Sequence, residues 1–247
     1  MDMDARIFAD LDALSRGALE ELLRVMREAI QSRGRFAVAL AGGHTPAKMY
    51  ALWAEAGKHG VSTPWDKVHL FWGDERYVPA DSPLSNYRMT REALIEHVPI
   101  PAANVHPMRG PDAYRTQEVA ADAYEAELRK FFGAAAPDFD LQMLGLGVEG
   151  HVASLFPGSP ALEEEQRWVM AVEAPAQPSQ RLTLTPAVLN RGRNTFFLVA
   201  GANKREIVAA LRSEPAGRPS RYPAGIIRPE GRALWFLDQA AEAAAGG

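Results

Sequence analysis

The stretch Asp140-Leu-Gln-Met-Leu-Gly-Leu-Gly-Val-Glu-Gly-His-Val-Ala-Ser-Leu-Phe-Pro157 leaves few folds open to this chain. The apolar run from Phe139 to Leu144 predicts a short strand that breaks into a glycine-rich turn. Gly145, Gly147 and Gly150 permit sharp bends and a close approach of the backbone to a bound group. The turn delivers a carboxylate, Glu149, and an imidazole, His151, to one place. A short helical start from His151 to Phe156 is expected, stopped by Pro157. In open α/β sheets ligands sit outside the carboxyl ends of the strands, which makes His151 the first candidate for chemistry. A plain βα turn that begins with a histidine would account for the same residues.

The three glycines also spell G-x-G-x-x-G, a dinucleotide fingerprint when a long helix follows the third glycine. Here Pro157 and Pro160 intervene, and a histidine directly after the third glycine is foreign to that motif. No dinucleotide is expected.

The rest of the chain alternates in the same way. Leu19, Leu22, Met26 and Ile30 predict an amphipathic helix from Leu11 to Ser32, with Gly34 after its end. The strand Arg35 to Ala41 runs into Gly42-Gly43-His44-Thr45-Pro46, where Thr45 suits an N-cap and Pro46 the first helical position of a helix to Ala56. A strand from Lys67 to Trp72 ends in Gly73-Asp74-Glu75-Arg76-Tyr77. Ser85 caps a helix from Asn86 to Glu96; an extended piece from Asn104 to Met108 and a helix from Asp112 to Phe132 follow. Further strands are expected at Trp168 to Val172, Arg181 to Thr185, Thr195 to Ala200 and Ala233 to Leu237, with helices starting at Pro186 and after Gly201-Ala-Asn203-Lys204. Pro215 to Pro223 reads as an irregular loop and the alanine-rich tail as frayed. No repeat or interdomain linker interrupts the 247 residues. The expectation is one domain over 1–247, of α/β class, with a mostly parallel sheet and helices on both faces.

Charge and cysteine content narrow the function. A net charge of −4 gives no nucleic-acid or membrane surface, so an anionic substrate must be drawn by a local cluster of Arg and Lys. The absence of cysteine excludes disulfides, thiolate catalysis and Cys-zinc sites, and fits a reducing cytosol. The acidic start Met1-Asp2-Met3-Asp4 has no apolar core of a signal peptide, and no apolar run approaches the roughly 20 residues of a membrane span. The six histidines show no H-x-x-x-H or H-x-H spacing, so no metal site is expected. No G-x-S-x-G elbow is present, and Ser154 reads as a binding or capping hydroxyl rather than a nucleophile.

Other strand ends share the break into glycine and polar residues. Free N–H groups and the helix dipole at Gly42, Gly43, His44 and Thr45 suit a phosphate, though a tight turn with a capping threonine reads the same. Asp74, Glu75 and Arg76 leave a buried strand together, as an oxyanion site or as a structural ion pair. Lys204 opens a helix and Arg181 a strand, each open to a solvent-facing alternative.

These segments occur in an order that carries a resemblance. Ala41-Gly-Gly-His-Thr-Pro46, Phe71-Trp-Gly-Asp-Glu-Arg-Tyr77, Ser85-Asn-Tyr-Arg-Met89, Gly145 to Pro157, Arg181-Leu-Thr-Leu-Thr185 and Gly201-Ala-Asn-Lys204 together resemble the 6-phosphogluconolactonases of the glucosamine-6-phosphate isomerase/6-phosphogluconolactonase superfamily. The resemblance covers Phe36 to Phe236. It implies a Rossmann-like fold, a cytosolic setting, no cofactor, and hydrolysis of 6-phospho-D-glucono-1,5-lactone to 6-phosphogluconate in the pentose phosphate pathway. It implies a small sugar-phosphate substrate; no nucleic-acid or membrane partner is expected, and the sequence leaves open whether the chain is a monomer or a weak homodimer. By similarity His151 is the general base, Asp74 lies beside the sugar, and Gly42, Gly43, Thr45, Arg76, Arg181 and Lys204 contact phosphate and substrate. Two departures stand out: Glu149 replaces the family's usual aspartate two before the histidine, and His44 stands where serine is common.

The implied mechanism is chemically economical. A lactone is an activated ester, and an imidazole, ordinarily titrating near about 6.5, can take a proton from water at neutral pH. Donors for the oxyanion would be N–H groups of the glycine turn or Arg76. The related glucosamine-6-phosphate deaminases typically carry D-E-Y in place of Asp74-Glu75-Arg76, and a glutamate where this chain has Phe156. A non-catalytic sugar-phosphate sensor is the third possibility, should Glu149 misplace His151.

Overall fold

A computed structural model describes residues 3–60, 62–215 and 220–242. Ten strands are present: β1 (Ala5–Phe8), β2 (Phe36–Leu40), β3 (Val68–Trp72), β4 (Asp74–Arg76), β5 (Val105–His106), β6 (Leu141–Leu144), β7 (Val169–Glu173), β8 (Gln180–Leu184), β9 (Asn194–Val199) and β10 (Arg232–Asp238). The longer helices are α1 (Leu11–Arg33), α2 (His44–Ala56), α3 (Asn86–Ala93) and α4 (Gln117–Phe132), followed by α5 (Pro186–Leu189), α6 (Arg205–Ser213) and α7 (Pro223–Ile226).

Seven strands form a parallel sheet in the order β1-β10-β9-β6-β2-β3-β5, with helices packed around it. Such strands must be apolar along their whole length, and β2, Phe-Ala-Val-Ala-Leu, is buried at every residue. From β2 the chain moves outward to β3 and β5, then returns to lay β6 on the other side of β2 and moves outward again to β9 and β10. The order therefore reverses between β2 and β6, and a crevice opens at their carboxyl ends. Two buried tyrosines close neighbouring strands there. Tyr50 Oη accepts from Ala41 N at 3.0 Å and donates to Ala41 O at 2.9 Å. Tyr124 Oη does the same for Trp72, at 2.9 and 3.2 Å.

The mostly parallel sheet was expected; a second, antiparallel sheet in the order β4-β8-β7 was not. It hangs from the end of β3 through Gly73, whose N–H donates to Leu40 O and whose carbonyl accepts from Leu184 N. The edge strand β1, paired with β10, is a further addition. Three local expectations are corrected. The N-cap of α2 is Gly43 rather than Thr45, and no side chain caps the helix, because glycine has no side-chain oxygen to accept from the first turn. Residues 151–156 are not helical: Val152 and Leu155 form an isolated bridge, and Ala153 has φ 50°. The helix expected from Asp112 begins at Gln117, where Thr116 Oγ1 accepts from Val119 N. The loop expected over 215–223 falls partly outside the described residues, and the last five residues of the tail lie outside them. Among the described residues no helix is long and apolar enough to cross a membrane.

At the β5 edge, His69 Nδ1 lies 3.3 Å from His106 Nε2, and His106 Nδ1 lies 2.8 Å from Glu127 Oε1. Burial first, then His106 and Arg35, pull His69 down to about 4. The folded chain thus binds fewer protons here than an unfolded chain, whose histidines titrate near about 6.5. The resulting stability is present above about pH 6.5 and is lost as pH falls toward about 4. It is worth roughly 1–2 kcal/mol, less than full conversion because the ring is only partly buried. His69→Gln should flatten that part of the pH dependence in urea unfolding between pH 7 and 4.5. An unchanged slope would show that His69 does not contribute.

Candidate active site

A cavity of about 440 Å³ lies at the carboxyl ends of β9, β6, β2 and β3. Gly42, Gly43, His44, Thr45, Asp74, Arg76, Glu149, His151, Arg181 and Lys204 all line it. The ten residues singled out in the sequence are brought together from five segments. Three permanent cations face two carboxylates, so the cavity is locally basic in a chain of net charge −4.

His151 is fixed by the turn that carries it. Its carbonyl accepts from Gly147 N at 2.9 Å, which closes the loop after β6. Its ring leans on Phe156, with centroids 4.4 Å apart. A side chain at 147 would collide with the imidazole, since a Cβ there would stand 2.0 Å from Nδ1. The glycine is therefore required by the histidine itself. Glu149 Oε1 lies 3.0 Å from Nδ1, yet buried Nδ1 has no hydrogen-bond partner. The carboxylate is in ion-pair range but off the line of an N–H, as the extra methylene over aspartate would produce.

The cations sit on two supports. Arg76 and Arg181 are direct partners across the β4–β8 ladder. Like charges placed so repel one another, an arrangement that an anion between them would relieve. Arg181 is 8% exposed and donates through Nε to Pro178 O at 2.7 Å. Burial, and then Arg76, push its guanidinium down, while Asp74 and Glu75 act the other way. Arg76 Nη1 donates to Leu84 O, and its buried Nε is unpartnered. Lys204 stands just before α6; its N–H donates to Gly201 O at 3.0 Å, while its ammonium makes no hydrogen bond or ion pair among the described residues. Burial pulls it down, opposed by Glu149.

Asp74 and Glu75 diverge. Asp74 lines the cavity, its Oδ2 accepting from Ser154 Oγ at 2.7 Å. Glu75 turns away to the start of α3, where it accepts from Arg76 N, Asn86 N, Tyr87 N and Ser85 Oγ. Burial pushes Glu75 up to about 7 against those donors. Asn86, read in the sequence only as a helix start, also lines the cavity and donates to Asp74 O at 2.9 Å. Its amide fills the space a Cβ at Gly42 would need, 1.9 Å from Oδ1. Gly42 is thus a close-approach glycine as much as a turn residue. Among the described residues no three His, Asp or Glu side chains converge as a metal set would.

Known proteins are similar to this chain in sequence and fold. A family model described as glucosamine-6-phosphate isomerases/6-phosphogluconolactonase matches residues 9–235. A 6-phosphogluconolactonase from Synechocystis sp. is 46% identical over 217 residues, covering 87% of this chain and 86% of that protein. One from Nostoc sp. is 39% identical over 246 residues, covering 98% of each. The solved structure of a 6-phosphogluconolactonase from Trypanosoma cruzi matches with a TM-score of 0.85 at 28% identity, covering 97% of this chain and 96% of that one. Sequence and fold together place the chain in the glucosamine-6-phosphate isomerase/6-phosphogluconolactonase family.

Proposed function

We propose that this chain hydrolyses 6-phospho-D-glucono-1,5-lactone to 6-phosphogluconate, with His151 as general base, in the cytosol. The observation that carries the reading is one cavity that holds the His151 imidazole, pinned by its own turn, together with three cations. The names of the relatives support the same substrate. Nδ1 of His151 is buried against Gly147 and Glu149, which leaves Nε2 to take a proton from water. The water oxygen bonds to C1 and the carbonyl oxygen becomes an oxyanion. The N–H groups of Gly147 and Gly150 are already spent within the turn, which favours Arg76 as its donor. The C1–O5 bond then breaks, and His151 returns its proton to O5. Glu149 compensates the charge the ring carries meanwhile. The phosphate is remote from C1, and its binding serves to place C1 beside the base.

Phe156 leaning on His151 favours this chemistry over the deaminase, which would need a carboxylate there. The sensor reading has one observation in its favour, the misaligned Glu149. A coupled assay decides between them. Glucose-6-phosphate dehydrogenase generates the lactone, and 6-phosphogluconate dehydrogenase reports product formed in excess of spontaneous hydrolysis. A large excess is expected. No excess with retained 6-phosphogluconate binding would establish the sensor, and ammonia release from glucosamine-6-phosphate the deaminase.

Among the described residues the Lys204 ammonium has no hydrogen-bond partner, so it is assigned to the phosphate. Lys204→Ala should raise KM for the phosphorylated lactone roughly ten- to a hundredfold, the worth of a charged hydrogen bond. It should leave KM for unphosphorylated gluconolactone nearly unchanged. Equal effects on both would remove Lys204 from phosphate binding.

A further inference from the structure

We propose that Ser154 is a positioning residue that holds the His151 turn in register with the Arg76–Arg181 pair. The inference rests on the lactonase reading of this cavity. Ser154 is 1% exposed and bonded to two of the three strands of the second sheet, β4 and β8. Its hydroxyl donates to Asp74 Oδ2 on β4 at 2.7 Å, and its N–H donates to Thr183 Oγ1 on β8 at 3.3 Å. Asp74 and Thr183 are direct partners across that ladder. The next rung on the same face, two residues along each strand, is Arg76 opposite Arg181. Ser154 thus grips one rung, and the adjacent rung carries the two guanidiniums.

On its other side Ser154 is three residues from His151. The intervening Ala153 has φ 50°, and among the described residues it is the one non-glycine with a positive φ. An alanine stays in that conformation only where its surroundings over-determine it. Here they do: Val152 and Leu155 are fully buried and bridged, and Ser154 is tied at both its hydroxyl and its N–H. Asp74 is itself held, its carbonyl accepting from Asn86 Nδ2 at 2.9 Å. Among the described residues the hydroxyl is the one side-chain tie from this turn to the carboxylate. Without it, the turn can shift relative to the anion-binding rung while each half remains intact.

The test uses Ser154→Ala and Ser154→Cys, the second nearly isosteric but a weak donor. Each is measured for kcat and KM with the phosphorylated lactone and for 6-phosphogluconate affinity. The expected result is a kcat at least tenfold lower in Ser154→Ala and an intermediate loss in Ser154→Cys, with product affinity within about threefold of the unaltered chain. If Ser154→Ala does not fold, the cysteine variant carries the same reading. Full kcat in either folded variant overturns the role. So does a loss of product affinity as large as the loss of kcat, which would mark a general collapse of the site. Those outcomes leave the lactonase reading standing; no hydrolysis by the unaltered chain would overturn that reading, and this role with it.

Discussion

His151→Ala is expected to lower kcat by roughly a hundred- to ten-thousandfold, the range of a lost general base. Affinity for 6-phosphogluconate should change little, because Arg76, Arg181 and Lys204 are carried by other segments. The fold should also survive. The turn is closed by the carbonyl of His151 and by Gly150 N to Gly147 O, both backbone bonds that alanine keeps. The ring is partly exposed, so its removal costs its contacts with Phe156, Glu149 and Gly147 but no backbone bond of the turn. Single-turnover kinetics with lactone generated in place, beside calorimetric titration of the product, separate the two effects. Unchanged turnover would move the base elsewhere in the cavity. A parallel fall in affinity would mean that the imidazole binds substrate rather than activating water.

The parts legible from sequence are those in which one segment carries its own signal. Phe36–Leu40 and residues 196–199 are apolar at every residue and are followed by alanine and glycine, so their strand character and the site at their carboxyl ends could be read locally. The same holds for Gly42 to Thr45 and for the run through Glu149 and His151. What escaped depends on partners far along the chain. The residues of β4 are Asp74, Glu75 and Arg76, which resemble a turn until pairing with β8, more than a hundred residues later, makes them a strand. Short β1, with no buried residue, takes its form from β10 at the other end of the chain. The bond between Ser154 and Asp74 spans 80 residues and leaves no periodicity. At 151–156 the local signal was misleading. Pro157 correctly marked an end, but the bridge and the positive φ of Ala153 replaced the helix expected before it.

Gly147→Ala should reproduce most of the His151→Ala defect without touching the base. A Cβ at 147 would lie 2.0 Å from Nδ1, 2.3 Å from Cε1 and 2.7 Å from Cγ of His151. All three atoms belong to a side chain, so the ring must swing aside by about 1 Å or more to reach van der Waals separation. The backbone at 147 lies outside the left-handed region, so alanine carries no conformational penalty there. The expected result is a thermal midpoint within a few degrees of the unaltered chain and a kcat lower by roughly a hundredfold, as a displacement of that size commonly costs. Gly147→Ala combined with His151→Ala should fall no further than His151→Ala alone, because both changes remove the same proton acceptor. Additive losses would show that Gly147 serves the reaction by a second route, through the backbone facing the cavity. Full activity in the single variant would show that the imidazole can work from more than one position, and the packing of ring on glycine would then have no catalytic role.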